Sequence, residues 1–307
     1  MNLPSNSGTS RGMTASAARH IDHLVLPTAA LDVARARLAA LGFTVAPVGI
    51  HPFGTSNSCV YLADGTFLEP LAIADTAAAA RATGEGNVFV ARDAAFRTRH
   101  GAEGFSALVL ATDDAESDHA AFGALGLSAG APLEFARPFV DAAGRTDTAR
   151  FRLAFAAPAG VEDIFAFTCQ RMNAPAVARD ALQRHANGVA RLSEVVAIAA
   201  NPAEAADFFR NIANAVPVVG ANGRLNLALG NVTLSIQPPQ AFAEHFACPP
   251  PRGGALRYAA IVFAMRDVPG CRAQFRASGV TFHEADGRLV VPPAPGQGTY
   301  FMFEELP

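Results

Sequence analysis

The chain has 307 residues, half of them hydrophobic and 17% charged, and a formal net charge of −3. This length favours two domains, and this composition excludes disorder for most of the chain. It has no run of Lys and Arg and no apolar stretch near the about 20 residues that cross a bilayer, so neither nucleic acid nor a membrane is an expected partner.

The first 19 residues, MNLPSNSGTSRGMTASAAR, are polar and show no hydrophobic periodicity. Residues 1–19 are therefore predicted to be a disordered tail. The tail lacks the apolar segment of a secretory signal, and the four cysteines of the chain form no CxxC pair. A cytoplasmic protein without a disulfide framework or a zinc ribbon is therefore expected.

After the tail, the chain repeats one order of elements four times: an apolar strand, a small polar turn, a helix and another strand. The repeats open with the apolar triplets that begin at Leu24, Leu108, Val195 and Ile261. One such unit cannot bury both faces of its own sheet. The units are therefore predicted to pair, with the strands at 21–27 and 105–111 in one folding unit.

Short β-rich runs follow the first helix, at roughly 43–48, 56–62 and 66–73. Asp64-Gly65 joins the last two runs and is a strong hairpin signal. Each unit is therefore predicted to be a strand–helix–strand–strand–strand module, written βαβββ.

The pairing of modules sets the predicted domain boundaries. Residues 20–172 form the first domain and residues 191–307 the second, joined by a short linker helix over residues 173–190. Residues 237–255, which are rich in proline and glycine, separate the third module from the fourth.

Several short segments resemble the vicinal-oxygen-chelate superfamily, which includes glyoxalase I, extradiol dioxygenases and bleomycin-resistance proteins, and in particular its glyoxalase-like domain branch. The segments are HIDHLVL, HPFGTSN, GTFLEPLAI, EGNVFVARD, FTCQRM and QRHANGVARL. The resemblance covers roughly residues 20–190 and is mainly architectural beyond them. It implies an α+β fold of two consecutive domains, each with paired βαβββ modules that form a curved mixed sheet around a pocket. This fold hosts both enzymes and metal-free binders, so it does not fix the reaction.

Members of the superfamily often carry metal ligands on the first and last strand of each module. His23 and Glu69 match these places in the first module, and the resemblance implies that they are the catalytic pair and the metal ligands. The second module has Ala107 in the first place and no acid or histidine in the strand FAFTCQ. The expected cofactor is therefore none or a weakly bound divalent metal. The incomplete ligand set also disfavours a dioxygenase, which needs two histidines and a carboxylate.

Glu69 is unusual because it lies in an apolar strand, where a carboxylate is normally paired. Either it faces a polar pocket, or it pairs with an arginine, for which Arg137 and Arg152 are candidates. A second interpretation of His23 is a core histidine whose ring nitrogens form hydrogen bonds with backbone groups.

The substrate-binding residues predicted around this pair are His51, Thr55, Asn57, Ser58 and Arg137. If the Asp64-Gly65 hairpin has an even loop, Val60 pairs with Glu69. Ser58 then donates to Glu69 and Asn57 points away, whereas a bulge reverses this arrangement.

In the second pair of modules, Glu194 and Glu304 occupy ligand-like places, and Ala260 stands where a third ligand is lost. This pair is predicted to complete the structure or to dimerise. The partner expected for the whole chain is a small-molecule ligand, and a homodimer is left open.

Two functions fit this sequence. The first is a glyoxalase-like enzyme of the lyase or isomerase type that acts on a small oxygen-bearing organic molecule. Glu69 would serve as general base or ligand, and His23 as ligand or polarising group. The second is a non-catalytic protein that sequesters a small molecule, as bleomycin-resistance proteins do.

Overall fold

Each half of the chain forms one mixed β-sheet in the computed structural model, which describes residues 17–140, 146–161, 164–173, 180–253 and 255–306. The first sheet has nine strands and the second has eight. This architecture confirms the predicted α+β fold of two consecutive domains built from paired βαβββ modules. No helix among the described residues is long and apolar enough to cross a bilayer.

The first domain contains two modules with two helices between them. The first module consists of β1 (Ile21–Pro27), α1 (Leu31–Ala40), β2 (Gly49–Ile50), β3 (Thr55–Asn57), β4 (Val60–Tyr61) and β5 (Phe67–Ile73). The helices α2 (Thr76–Gly84) and α3 (Val88–His100) follow it. The second module consists of β6 (Ala107–Ala111), α4 (Ala115–Ala124), β7 (Leu133–Val140), β8 (Thr146–Ala156) and β9 (Phe165–Asn173).

The second domain repeats this order with one helix between its modules. The third module consists of β10 (Val189–Ala199), α5 (Pro202–Ala213), β11 (Pro217–Val219), a 3₁₀ turn (Ala221–Gly223), β12 (Leu225–Ala228) and β13 (Thr233–Gln237). The helix α6 (Pro239–Phe246) follows it. The fourth module consists of β14 (Leu256–Met265), α7 (Val268–Ala277), β15 (His283–Ala285), β16 (Arg288–Val291) and β17 (Tyr300–Glu305).

The opening strands of two modules pair at the centre of each sheet. In the first domain β1 runs antiparallel to β6, with His23 opposite Val109, and the predicted placement of strands 21–27 and 105–111 in one folding unit is therefore confirmed. On their outer sides, β1 pairs with β5 and β6 pairs with β9, both in parallel. The full order of the first sheet is β2-β3-β5-β1-β6-β9-β8-β7, so β2 and β7 are its two edges.

Alternation along the strands gives the first sheet two different faces. Leu24, Leu68 and Leu108 point to the convex face, where they share a hydrophobic core with Leu38 of α1 and Phe122 of α4. The other face is concave and more aromatic, and it carries the residues with functional chemistry. Its core includes Val25, Leu71, Val109, Leu153, Phe155 and Phe167, together with Phe89 and Val90 of α3.

The two domains share the larger hydrophobic core. Phe43, which follows α1, packs against Phe263 of the second domain at a ring-centroid distance of 5.2 Å. Asn231 bridges both backbone groups of Ile21, accepting from its N–H at 2.8 Å and donating to its carbonyl at 2.9 Å. The second domain therefore supports the back of the first sheet and leaves its concave face free.

The predicted strand at 43–48 is wrong. The second strand of the module is only Gly49–Ile50, since Pro47 has no N–H for a ladder and the carbonyl of Ala46 accepts from the side chain of Arg35. The predicted strand at 56–62 is also divided, into β3 and β4.

The predicted linker helix has a described part and an undescribed part. Residues 174–179 lie outside the described residues, and residues 180–188 contain turns but no helix. His185 holds this segment against the first module, accepting from the N–H of Thr44 at 3.0 Å and donating to the carbonyl of Tyr61 at 3.0 Å. These bonds fix an irregular path over residues 180–188.

The predicted disordered tail also has two parts. Residues 1–16 lie outside the described residues, but Arg19 is fixed by three interactions. Its N–H donates to the carbonyl of Ala213 at 2.9 Å, its own carbonyl accepts from Gly230 at 2.9 Å, and its guanidinium pairs with Asp118. The predicted disorder therefore does not extend to Arg19.

Candidate ligand site

A pocket lies on the concave face of the first sheet. Its lining is formed by Asp22, His23, His51, Phe53, Asn57, Phe67, Glu69, Phe89, Phe135, Arg137, Phe151, Leu153, Phe167, Cys169 and Arg171. The cavity has a volume of about 60 Å³, counted as the space open to the centre of a water molecule. One water needs roughly 10–15 Å³ on the same measure, so the cavity has room for several waters or one small organic molecule.

His23 is held on the pocket wall between two carboxylates. Its Nδ1 lies 2.7 Å from Asp22 Oδ1, and its Nε2 lies 3.3 Å from Glu69 Oε2. Burial lowers the pKa of His23, but the hydrogen bonds and charges of Asp22 and Glu69 outweigh burial and raise it above the ordinary value. With an acceptor at each ring nitrogen, the protonated imidazole is the favoured form.

Asp22 reaches the same face as His23 because the register of β1 against β6 shifts between Ile21 and His23. In a regular strand successive side chains point to opposite faces, and a bulge removes this alternation locally. Arg171 of β9 pairs with the other oxygen of Asp22 at 2.8 Å. Neither Asp22 nor Arg171 is among the residues predicted from the sequence, since only the bulge brings Asp22 beside His23.

Glu69 is buried on the central part of β5 and has no arginine partner among the described residues. Asn57 donates to its Oε1 at 2.6 Å, and His51 Nε2 lies 3.6 Å from the same oxygen. Burial raises the pKa of Glu69, but the hydrogen bond and charge of His23, helped by His51 and Asn57, hold it at about 2. Glu69 is therefore ionised at neutral pH and faces the pocket.

Of the two arrangements left open for the Asp64-Gly65 hairpin, the structure has the one in which Asn57, and not Ser58, faces Glu69. Val60 pairs with Leu68 instead of Glu69, because the Leu62 N–H bonds to the carbonyl of Thr66 and closes an odd three-residue loop. This register places Asn57 on the face of Glu69. Ser58 lies on the other face, where Arg35 donates to its hydroxyl at 3.1 Å.

His51 stands beside Glu69 as a neutral base. Its Nδ1 lies 2.8 Å from the hydroxyl of Thr55, and its Nε2 lies 3.3 Å from the amide nitrogen of Asn57. Burial lowers the pKa of His51 to about 4 against the opposing charge of Glu69, and the charges of Arg137 and His23 act in the same direction as burial. Thr55 therefore orients His51 from behind, and it does not line the pocket.

Of the predicted site residues, the pocket brings together His23, His51, Asn57, Glu69 and Arg137. Arg152, the other candidate arginine, lies outside the pocket and pairs with Glu134 at 2.9 Å. The aromatic walls were not predicted, since alternation along a strand does not indicate which phenylalanines converge on one cavity. Phe89 comes from α3, which packs across one end of the concave face.

The described residues do not fit a metal ion well. They contain no group of three or more His, Cys, Asp or Glu side chains arranged to hold one. His23 has both ring nitrogens directed at carboxylates, whereas a histidine ligand needs a neutral nitrogen with a free lone pair. Glu69 already accepts from Asn57.

Protein purified without chelator is expected to contain well under one tightly bound divalent metal ion per chain. One imidazole and one carboxylate leave most coordination positions to water, and such sites hold a metal weakly compared with three- or four-ligand sites. Elemental analysis by mass spectrometry measures the content directly. One firmly held ion per chain would contradict this expectation, and His51 would then be the first additional ligand to test.

The free energy of unfolding is expected to fall between pH 6.5 and 4 through His51. The unfolded state binds a proton near the ordinary pKa of about 6.5, whereas the folded state binds it only near 4. The stability contribution is therefore complete above pH 6.5 and is lost as pH falls, by at most about 3 kcal/mol. Urea unfolding of the wild type and His51→Gln at pH 7 and pH 4.5 tests this. Equal pH dependence of the two proteins would contradict it.

In the second domain, the position that corresponds to His23 takes part in ion pairs. Glu194, which lies on β10 as His23 lies on β1, pairs with the guanidinium of Arg224 and accepts from the hydroxyl of Ser235. Arg288 lies 3.6 Å from Glu194 and 2.7 Å from Glu304. The two predicted ligand-like glutamates are thus joined through an arginine.

An open polar cavity lies around Glu194, Arg224 and Glu304, and the neighbouring part of this face of the second sheet is covered by the chain itself. Phe242 and Phe246 of α6 pack there with Val262, Tyr300 and Met302. The helix α6 takes the place in the order of elements that α2 and α3 take in the first domain. Only the first domain therefore combines a polar pair with an aromatic cavity in the described part of the chain.

A family model described as a glyoxalase-like domain matches residues 21–212. No curated protein gives a significant match. The family match and the similar folds of solved structures together confirm the resemblance to the vicinal-oxygen-chelate superfamily that the sequence motifs indicated.

Solved structures with low sequence identity share the fold. A hypothetical protein from Staphylococcus aureus has a TM-score of 0.64 at 14% identity, covering 93% of this chain and 99% of that one. A mutant of 4-hydroxymandelate synthase from Streptomyces coelicolor has a TM-score of 0.59 at 15% identity, covering 94% and 93%. The Mn(II)-bound glyoxalase from Novosphingobium aromaticivorans has a TM-score of 0.54 at 11% identity, covering 94% and 82%. At these identities the similarity supports the fold and not a shared reaction.

Proposed function

Because the chain belongs to the glyoxalase-like domain family, we propose that the pocket of its first domain binds a small oxygen-bearing organic molecule and transforms it by proton transfer, as a lyase or isomerase does. The observation that carries the proposal is the pair of His23 and Glu69 on the wall of an otherwise aromatic pocket. Concave apolar pockets with a few convergent polar groups are the usual ligand sites of proteins.

The two members of the pair have complementary roles in this proposal. His23, protonated between Asp22 and Glu69, donates a hydrogen bond to a substrate oxygen. Glu69, ionised at neutral pH, accepts a proton from the substrate. A carboxylate with a pKa of about 2 is a weak base. A substrate oxygen that takes over the hydrogen bond of His23 removes part of the stabilisation of Glu69 and makes it more basic.

One observation favours the second candidate function, which is sequestration without chemistry. Both ring nitrogens of His23 and one oxygen of Glu69 already have partners within the protein. A pocket that keeps these bonds when a ligand enters would bind the ligand and leave it unchanged.

Proton exchange with solvent distinguishes the two candidates. A panel of small 2-oxo and 2-hydroxy carbonyl compounds is incubated with the protein in D₂O, and loss of carbon-bound proton signals is followed by NMR. The proposal predicts protein-dependent exchange in at least one compound, and no exchange with Glu69→Gln. Binding without exchange by any compound would favour sequestration. Equal exchange by Glu69→Gln would remove Glu69 from the mechanism.

The second domain is assigned no chemistry in this proposal. Phe242 and Phe246 cover part of its sheet, no aromatic ring lines the cavity beside Glu194, and Arg224 and Arg288 neutralise this buried glutamate. We propose that it completes the structure or contributes to a homodimer, and that the protein works in the cytoplasm.

A further inference from the structure

We infer that the ligand of the first-domain pocket is a small carboxylate with a flat apolar body, and that Arg137 binds its carboxylate. This inference rests on the proposed function, because it takes this pocket as the ligand site. Three features of the described residues support it: the unmatched charge of Arg137, its place between two sheet edges, and the aromatic walls beside it.

The carboxylates of the pocket are engaged by groups other than Arg137. Asp22 pairs with Arg171 at 2.8 Å, and Glu69 has His23 at 3.3 Å and Asn57 at 2.6 Å. Among the described residues no carboxylate forms an ion pair with Arg137. A guanidinium binds a carboxylate through two parallel charge-assisted hydrogen bonds, and water screens such a pair less in a half-enclosed apolar site.

The fold provides a specific place for this guanidinium. Arg137 lies on the edge strand β7, yet it contacts Gly49 on β2, the opposite edge of the same sheet. The curvature of the sheet brings these edges together over the pocket. A Cβ atom on Gly49 would collide with Nη1 of Arg137 and Oδ1 of Asn57. The missing side chain at position 49 therefore leaves room for the guanidinium.

The guanidinium lies beside a cluster of aromatic rings that form flat walls of the pocket. The Cζ of Arg137 lies 5.8 Å from the ring centroid of Phe151, and Phe151 stacks on Phe135 at 5.2 Å. Phe53 contacts Phe135 edge to face, also at 5.2 Å. Rings of this kind pack best against a flat apolar body. An arginine beside such walls selects a ligand that carries an anionic group at one end of such a body.

Calorimetric titration with benzoate and with benzamide tests the inference. The two probes share shape and size, but only benzoate carries a charge. The wild type is expected to bind benzoate about 10-fold more tightly than benzamide, and Arg137→Gln is expected to bring the two affinities together. Arg152→Gln is the matched control, since it removes an arginine of the neighbouring strand outside the pocket and should keep the preference.

Gly49→Ala provides a second variant that does not alter Arg137 itself. It should displace the guanidinium and weaken benzoate binding. The added Cβ also meets Oδ1 of Asn57, so the melting temperature is measured beside the affinity to separate lost binding from lost packing. Equal binding of the two probes by the wild type, an unchanged preference in Arg137→Gln, or no binding of benzoate at about 10 mM would each overturn the inference. If neutral carbonyl compounds exchange in a Glu69-dependent manner while Arg137→Gln has no effect, the proposed function stands and this inference alone fails.

Discussion

Glu69→Gln is expected to lower turnover of the substrate by about 100- to 10,000-fold, which is the range that positioned general acids and bases contribute. The glutamine keeps an oxygen that accepts from Asn57, but it cannot take a proton from the substrate. The melting temperature should stay nearly unchanged or rise. Asp22 still pairs with His23 in the variant, so no buried charge is left alone.

Glu134→Gln is the matched control for this substitution. Glu134 lies on the edge strand β7, outside the pocket, and pairs with the partly exposed Arg152. It should keep full turnover and stability, because exposed ion pairs contribute little. The functional role of Glu69 would be rejected if Glu69→Gln melted much earlier yet still bound ligand in the cold. A structural carboxylate behaves in that way, with a cost of several kcal/mol, roughly 3–5.

Glu194→Gln is expected to have the opposite phenotype, with a free energy of unfolding lower by about 2–4 kcal/mol. Glu194 is buried and neutralises Arg224, while it also lies near Arg288 and accepts from Ser235. The glutamine leaves Arg224 without its carboxylate partner. Arg288 keeps Glu304 at 2.7 Å, which limits the loss.

Urea unfolding of Glu194→Gln measures this loss, and turnover is assayed below the midpoint of its thermal unfolding. The folded variant should retain wild-type turnover, since the first domain holds the proposed site. Lost activity with unchanged stability would instead place a functional site in the second domain.

The elements that the sequence predicted correctly have strong local signals. The opening strand and the helix of each module are long enough to show period-2 or period-3.6 patterns and end signals, so the paired modules follow from the repeat itself. His23 and Glu69 could be found for a different reason. Both match the ligand places that the resemblance to the superfamily implies, and Glu69 also interrupts an apolar strand with a charge that burial would otherwise penalise.

The sequence left the arrangement open, or missed it, where one residue decides the register. The odd loop after Leu62 exchanges the faces of Asn57 and Ser58, and hydrophobic patterning alone does not give the length of a hairpin loop. The bulge before His23 brings Asp22 onto the pocket face in the same way. Both features depend on pairing with distant strands.

Other site residues follow from curvature, which no local pattern encodes. Gly49 and Arg137 are almost ninety positions apart and lie on opposite edges of the first sheet, yet the closing sheet brings them into contact. Phe89 reaches the pocket from a helix between the modules. The sequence indicated Arg137 as a candidate, but not the glycine that leaves room for it.

A crystallographic fragment screen is the sharpest test of the ligand site in the first domain, because it shows where small oxygen-bearing molecules bind even when the substrate is not identified. Fragments with a carbonyl or carboxylate group are predicted to cluster in the first-domain pocket, with an oxygen near His23 or Arg137 and the apolar part against the phenylalanines. The surface around Glu194 should stay free of them. Fragments that gather around Glu194 and leave the pocket of His23 and Glu69 empty would contradict this placement of the site.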